Sequence, residues 1–135
     1  VITSSAHEYG VWWFEQRQEN GETVFDRHEI HKGISQTHAL ILADMNSDGL
    51  ADLVTGKRYY AHNGHDPGAA EPAILCWFEL QRPEPGKPQF TYHQIDNHSG
   101  VGTQFRVCDL DGDGLFDVVT SNKKGVHAFL QRRSK

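Results

Sequence analysis

The sequence has little of what several large classes of protein require. Its 135 residues include only two cysteines, one methionine and five prolines. No run of eighteen apolar residues occurs, which argues against a membrane-spanning helix. No stripe of basic residues indicates nucleic-acid binding. No stretch of ten residues has the apolar spacing of three and four that predicts an amphipathic helix. We therefore expect an all-β chain with neither a membrane span nor a nucleic-acid partner.

The sequence also lacks the common local motifs of enzymes. It contains no nucleophile elbow, no phosphate-binding loop and no Cys/His spacing typical of zinc. The two cysteines, Cys76 and Cys108, fall in different segments. Buried free thiols are favoured over a disulfide between them, although the pattern allows either. The formal net charge is −5, and most of it belongs to the acidic loops described next.

Two acidic loops with the same spacing lie 65 residues apart and are the most informative feature present. Oxygen ligands at positions 1, 3 and 5 suit a hard cation, the glycine at position 6 permits a sharp turn, and position 7 offers a backbone carbonyl. Position 12 is threonine in both copies, so these are not EF-hands. The spacing predicts two Ca²⁺ sites with these ligands: Asp44, Asn46, Asp48, Leu50 and Asp52 in the first loop, and Asp109, Asp111, Asp113, Leu115 and Asp117 in the second.

The number of carboxylates predicts how the two loops differ. The first loop offers three carboxylates and the second offers four, so we expect the second to bind calcium more tightly. Without metal, the crowded negative charges repel one another. Calcium should therefore stabilise the folded chain, because a ligand that binds only the folded state shifts the folding equilibrium.

The repeat extends beyond the loops. The segment Trp13-Phe14-Glu15 matches Trp77-Phe78-Glu79, and the next strand of each copy carries the same Phe-x-x-His-x-Ile pattern. The complete copy contains four strand-like runs, at 38–43, 52–56, 73–80 and 90–95. The first run is almost wholly apolar, which predicts a strand buried on both faces. Four antiparallel strands per repeat with acidic turns are typical of a β-propeller blade.

The repeat divides the chain into three parts. Residues 1–33 correspond to a partial blade, 34–99 to a complete blade and 100–135 to a second partial blade, which is about two blades in all. Propellers close with about four to eight blades. We therefore expect the remaining blades to come from a longer chain or from other copies in a homo-oligomer.

The acidic loops and their surrounding residues resemble the FG-GAP/VCBS repeat family of calcium-binding propellers, which also occurs in integrin α-subunits. Three further segments are similar to secreted bacterial members of that family: Thr37-His38-Ala39-Leu40, Gly56-Lys57-Arg58-Tyr59 and Gly102-Thr103-Gln104. The same segments also resemble the propeller domain of fungal aldos-2-ulose dehydratase. The resemblance implies a calcium-stabilised propeller, and the dehydratase implies a carbon–oxygen lyase acting on a keto-sugar.

A propeller would gather the unusual polar side chains on the face opposite the calcium loops. The connections from second to third strand and from one blade to the next both open on that face. They carry imidazoles, cations and amides suited to a polyol, a keto-sugar or an anionic sugar. The candidate catalytic residues are His38, His7, Lys57 and Arg58, and the candidate ligand-binding residues are Tyr59, His62, Gln104, Asn122 and Lys123.

Several histidines and two of the candidate cations also have simpler structural interpretations. His28 and His93 occupy the same position of an outer strand, which indicates a structural role, and His31, His98 and His127 are expected at the solvent-exposed surface. Lys57 and Arg58 could belong to a solvated loop. The insertion at 61–72 is long for a propeller connection, and loops of that length are often functional.

Two functions follow from these patterns. The first is a non-catalytic module that binds carbohydrate or a protein partner, in an extracellular or periplasmic protein where calcium is abundant. The second is a lyase, in which His38 or His7 removes the proton beside a ketone while Lys57 or Arg58 stabilises the enolate oxygen. The repeat alone favours the module, and the resemblance to the dehydratase favours the lyase.

Overall fold

A computed structural model describes residues 1–133, and these residues form three antiparallel sheets. The first sheet contains β1 (Ile2–Ser4), β2 (Tyr9–Glu19) and β3 (Glu22–Ser35). The second contains β4 (Leu40–Ala43), β5 (Asp52–Gly56), β6 (Leu75–Glu84) and β7 (Lys87–Asp96). The third contains β8 (Phe105–Cys108), β9 (Asp117–Asn122) and β10 (Gly125–Phe129).

The all-β prediction is confirmed for the described residues, whose only helix is one 3₁₀ segment at Ala61–Gly64. The second sheet has four antiparallel strands in sequence order, at the places where the sequence predicts them. The last two strands are longer than expected, because the hairpin joining them pairs out to Glu84 and Lys87. The three sheets of this chain do not close into a ring. No helix among residues 1–133 has the length and apolar character needed to span a membrane.

The prediction that the first strand of the complete repeat is buried on both faces is wrong. Strand β4 is an edge strand, and Leu42 at its centre is 58% exposed. Every residue of the neighbouring strand β5 is buried instead. An edge strand has a pairing partner on one side only, so its apolar side chains depend on elements outside its own sheet for cover.

Strand β5 lies at the centre of the molecule because its two faces contact two different cores. Leu53 packs with Val11 and Phe78 in a core shared by the first and second sheets. Val54 packs with Phe105 and others in a core shared by the second and third sheets. Successive side chains of a strand point to opposite faces, so one strand can join two cores. The three sheets are thereby packed in chain order.

Backbone hydrogen bonds join the segments at one end of the sheets. Thr37 N–H donates to Ser5 O at 3.1 Å, and Val101 N–H donates to Lys57 O at 3.0 Å. Both bonds connect the segment that enters one sheet to the strand-to-strand connection of the preceding sheet. This end of the molecule is called the connection end below. The acidic loops lie at the other end, since successive antiparallel strands run in opposite directions.

Both cysteines are free thiols, so the disulfide that the sequence allowed is not formed. Cys76 is fully buried in the core between the first and second sheets. Burial raises the pKa of its thiol to about 12, because the apolar core disfavours the thiolate. Cys108 is only partly buried.

Candidate functional site

The two acidic loops have the same internal hydrogen bonds. The Asp44 carboxylate accepts from Asp48 N–H at 3.0 Å and from Gly49 N–H at 2.9 Å. In the second loop Asp109 accepts from the corresponding amides, those of Asp113 at 3.1 Å and Gly114 at 3.0 Å. The φ angles of Gly49 and Gly114 are +87° and +83°, a region that favours glycine. Two separate sequences therefore fold into one loop conformation.

The last aspartate of each loop is buried and bonded to backbone on two sides. Asp52 accepts from Met45 N–H at 2.9 Å and from Leu80 N–H at 2.8 Å. Asp117 accepts from Leu110 N–H and Gln131 N–H, both at 2.8 Å. Burial raises the pKa of Asp52, although both amide donors favour the charged form. Asp52 thus connects its loop to the third strand of the second sheet, and Asp117 connects its loop to the segment just after the third strand of the third sheet. The spacing alone does not indicate this role.

The residues present fit a hard divalent cation. Oxygen atoms of Asp109, Asp111 and Asp117 all lie within 4.8 Å of one another. Carboxylate oxygens are the ligands that calcium prefers, and like charges at that separation repel unless a cation lies between them. In the first loop the amide of Asn46 takes the place of Asp111, and it donates to Asp48 Oδ2 at 3.0 Å.

A protein cation already contacts the second loop. Arg132 Nη1 donates to Asp111 Oδ2 at 2.7 Å and to Asp113 Oδ2 at 3.0 Å. The corresponding residue of the second sheet is Gln81, which donates to Glu79 instead of the first loop. The sequence predicts tighter calcium binding at the second loop because that loop carries one more carboxylate. The positive charge of Arg132 offsets part of this additional negative charge.

At the connection end, the structure brings together four of the predicted site residues. The ring centroid of His7 lies 4.6 Å from that of His62 and 5.4 Å from that of His38. Arg58 Nη1 lies 3.0 Å from His38 Nε2. These residues come from three different connections, so only the packing of the first sheet against the second makes them neighbours.

The bond from Arg58 defines the state of His38. A guanidinium only donates, so His38 Nε2 must accept and the ring proton resides on Nδ1. Burial, followed by the nearby charge of Arg58, lowers the pKa of His38 and keeps its imidazole neutral. The lone pair that a general base would use is therefore engaged by Arg58 in this structure.

Lys57 lies away from the imidazoles. Its side chain is 1% exposed, and its Nζ donates to Gly68 O and to Glu71 Oε2, the latter at 3.0 Å. Tyr9 donates its hydroxyl to Glu71 Oε1 at 2.6 Å. These two donors, Tyr9 foremost, lower the pKa of the Glu71 carboxyl. Lys57 therefore ties the 61–72 insertion to the end of β5, and Tyr9 joins the same insertion to the first sheet. With its charge used in this way, the buried Lys57 does not line an open funnel.

The remaining predicted residues lie between the second and third sheets. Asn122 Nδ2 donates to Ser99 O at 2.6 Å, and Lys123 Nζ donates to Tyr60 O at 2.9 Å. The ring of Tyr59 lies 4.6 Å from Lys124 Nζ. Gln104 is exposed and lines an open groove of about 720 Å³ together with His38. The predicted residues other than Lys57 therefore form two groups. His7 and His62 lie between the first and second sheets, and the remaining ligand-binding candidates lie between the second and third. Arg58 and His38 lie beside both groups.

Asp66 is the residue that sequence reasoning missed. His62 Nδ1 donates to its Oδ2 at 2.7 Å and His7 Nδ1 lies 3.3 Å from the same oxygen. The hydrogen bond from His62, and then that from His7, lowers the pKa of the Asp66 carboxyl. The sequence signal that could have identified Asp66 is its place in the long 61–72 insertion, close to His62 and His65.

Three other histidines were assigned to the exposed surface, and the structure places two of them elsewhere. His31 is partly buried and stacks on Tyr92 with ring centroids 5.2 Å apart. His127 is partly buried, and its Nε2 has no hydrogen-bond partner among the described residues. His98 is exposed, as predicted. A histidine in a strand is buried whenever the neighbouring sheet covers its face, which the sequence pattern does not report.

The fold and the two loops define an all-β chain of stacked antiparallel sheets with a duplicated acidic turn. Comparisons with protein-family models, with curated proteins and with solved structures found no match. The function must therefore be argued from the residues themselves.

Proposed function

We propose that this chain is a calcium-stabilised segment of a β-propeller, of the FG-GAP/VCBS type, in an extracellular or periplasmic protein. One observation carries the proposal: the two acidic loops share their hydrogen bonds and occupy the same place in successive sheets, between first and second strand. The first ion would be held by Asp44, Asn46, Asp48, Leu50 and Asp52, and the second by Asp109, Asp111, Asp113, Leu115 and Asp117. The ions supply positive charge that offsets the repulsion between carboxylates.

The exposed apolar edges support a role for further blades. Leu42 on β4 and Val126 on β10 are 58% and 77% exposed, and both belong to strands at the edge of their sheets. Successive sheets of a propeller pack face to face, which would cover such side chains. Additional blades from a longer chain or from other copies of this one would supply that cover.

We propose further that the connection end binds carbohydrate or a protein partner. The groove beside His38 and Gln104 is open, and its lining combines hydroxyl groups and the Arg106 side chain with apolar residues such as Ile41 and Val126. Such groups hydrogen-bond sugar hydroxyls. A keto-sugar lyase is the second candidate, since His38 and Arg58 are paired at this end. For His38 to act as the base, the carbonyl oxygen of the bound ketone would have to draw Arg58 away from Nε2 before the proton is removed.

Calcium-dependent stability tests the first part of the proposal. The full chain should melt at a higher temperature in calcium than in chelator. Each site should contribute about 2.7 kcal/mol of stability when calcium exceeds the dissociation constant of that site a hundredfold. The variants Asp44→Asn and Asp109→Asn should each lose part of this shift. Glu22→Gln, which alters an exposed carboxylate in the β2–β3 hairpin, is the control. A melting temperature that chelator does not change would contradict the proposal.

One binding assay and one activity assay distinguish the binding module from the lyase. Sugar binding observed by saturation-transfer NMR should weaken in Gln104→Ala under either function. Formation of an absorbing enone from a keto-sugar should occur only with the lyase, and His38→Ala should abolish it while leaving the calcium response intact. Sugar binding without enone formation would support the module alone.

A further inference from the structure

Three potential metal ligands meet at the connection end, apart from the acidic loops. One nitrogen each from His7 and His62 and one oxygen from Asp66 all lie within 4.8 Å of one another. The two nitrogens are both Nδ1, at 3.3 Å and 2.7 Å from Asp66 Oδ2. Ligand atoms around a tetrahedral zinc ion are separated by roughly 3.3 Å, given metal–ligand bonds of about 2.0–2.1 Å. Small side-chain movements would therefore place all three around one ion.

The fold holds Asp66 and its loop from two sides. Gln36 is fully buried and its Nε2 donates to Pro67 O at 3.0 Å, directly after Asp66. Buried Lys57 donates to Gly68 O. Two buried side chains therefore fix the backbone that carries the carboxylate. A ligand on a loop anchored in this way is pre-positioned, which lowers the entropy cost of binding a metal.

His62 reaches Asp66 because the backbone turns sharply at the insertion. His62 and Asn63 have φ values of +47° and +57°, a left-handed conformation unusual for residues other than glycine. Residues in this conformation persist only where the surrounding structure holds them. The turn brings the imidazole of His62 back over residue 66, four positions later in the chain.

His7 comes from a separate connection that is also closed by hydrogen bonds. Ser5 N–H donates to Gly10 O at 2.9 Å, and Glu8 N–H donates to Ser5 Oγ at 2.9 Å. Gln36 N–H donates to Glu8 O at 3.2 Å, which ties the turn to the segment that also anchors Pro67. The two halves of the cluster are thus joined through one buried residue.

We infer that His7, His62 and Asp66 form a binding site for a divalent first-row transition metal, of which zinc is the representative probe. Two imidazole nitrogens and one carboxylate suit zinc, whereas calcium prefers oxygen ligands alone. The side chains of His7 and His62 are 57% and 48% exposed, so solvent reaches the cluster and leaves room for water or an oxygen ligand. The inference does not depend on the propeller or on calcium binding.

The charges around the cluster agree with a divalent cation in this position. Asp66 contributes one negative charge and the two imidazoles bind a metal when neutral, so the ligand set carries −1. The guanidinium of Arg58 is directed at His38 Nε2 and not at the three ligand atoms. His38 packs edge-on against His7 and lies outside the group of ligand atoms. We expect His38 to position the His7 ring rather than to bind the metal.

Zinc titration of the full chain in saturating calcium tests the inference. Calorimetry with ZnCl₂ should give one strong site per chain, and Co²⁺ should give the visible absorption of a site with nitrogen ligands. Asp66→Asn and His62→Ala should each weaken zinc binding by at least about tenfold, the smallest loss expected when a metal site is disturbed. His98→Ala removes an exposed histidine of the same end and should change nothing.

Two controls keep the result interpretable. His7→Asn alters an exposed turn outside the anchored insertion, so it should fold even if Asp66→Asn does not, and it should also weaken binding. The far-ultraviolet circular dichroism and the melting temperature without zinc report folding of each variant. Equal zinc affinity in wild type, His7→Asn and His62→Ala would overturn the site. So would an equal loss in His98→Ala, which would indicate adventitious binding to surface histidines.

Discussion

The imidazole of His28 lies flat on the indole of Trp13, with ring centroids 4.2 Å apart and 13° between the planes. The second sheet repeats the contact between His93 and Trp77, at 4.4 Å and 16°. Each imidazole also lies within 3.1 Å of a glutamate two residues beyond the tryptophan, Glu15 or Glu79. The hairpin of the two outer strands is therefore braced in the same way in both sheets.

Removing one of these stacks should lower stability. His93→Ala should reduce the free energy of unfolding by about 0.5–1 kcal/mol, the lower part of the range for stacked aromatic pairs, because the ring is partly exposed. Urea denaturation measures the change. His98→Ala, an exposed histidine two residues beyond the same strand, serves as the control. If the two variants unfold at the same urea concentration, the stack contributes nothing.

Lys57 should determine whether the 61–72 insertion stays ordered. Lys57→Met keeps most of the side-chain volume but removes the donor to Gly68 O and Glu71, so stability should fall by about 1–3 kcal/mol. Limited proteolysis should then cut within the insertion faster than in wild type. Lys32→Met changes an exposed lysine and should leave the cleavage rate unaltered. An uncut insertion in Lys57→Met would show that other contacts hold it.

His31 should make the protein less stable in acid. Burial lowers the pKa of its imidazole below 6.5, so near that pH the unfolded chain binds a proton that the folded chain does not. The stability conferred by the neutral ring is present above pH 6.5 and is lost as pH falls through the folded pKa. His31→Phe preserves stacking on Tyr92 and cannot titrate, so its stability should decline less between pH 6.5 and lower values. Parallel stability curves for wild type and variant would contradict this account.

Arg132 should weaken calcium binding at the second acidic loop. The guanidinium occupies carboxylate oxygens of Asp111 and Asp113 that the proposed ion would use. Arg132→Ala should therefore raise the calcium affinity of that loop by about two- to fivefold, the scale of an exposed ion pair. Calorimetry in an Asp44→Asn background isolates the second loop. Arg133→Ala is the neighbouring control, and an unchanged affinity in Arg132→Ala would show that the arginine moves aside without cost.

Local patterns explain why the strands could be predicted. The run at 52–56 is a strand with those exact bounds, because β-branched residues after an acidic turn favour extended backbone regardless of the rest of the molecule. The turn itself needs glycine at Gly49 and Gly114, whose φ angles agree with the spacing. The burial of β4 could not be predicted in the same way. Its apolar side chains indicate that it should be covered, but not by which element.

The candidate site at the connection end also depends on tertiary packing more than on local sequence. The sequence predicts imidazoles, cations and amides at the connection end. It does not predict that His7 meets Asp66, because the two residues are 59 positions apart and become neighbours only where two sheets pack. The sequence predicts Lys57 as a catalytic cation or as part of a solvated loop, whereas the structure buries it beside Glu71. The last aspartate of each acidic loop is predicted to bind calcium. What the structure shows is that Asp52 accepts from the backbone of Leu80 and Asp117 from that of Gln131.

The sequence by itself determined the antiparallel β character, the places of the strands and the conformation of the two acidic turns. These follow from residue type and short spacing, which act within a few residues of the chain. Only the tertiary structure decided that β5 is the buried strand and that Lys57 anchors an insertion. The same is true of the cluster in which His7, His62 and Asp66 are neighbours. Those outcomes depend on which faces of separate sheets exclude water together, and no local pattern records that choice.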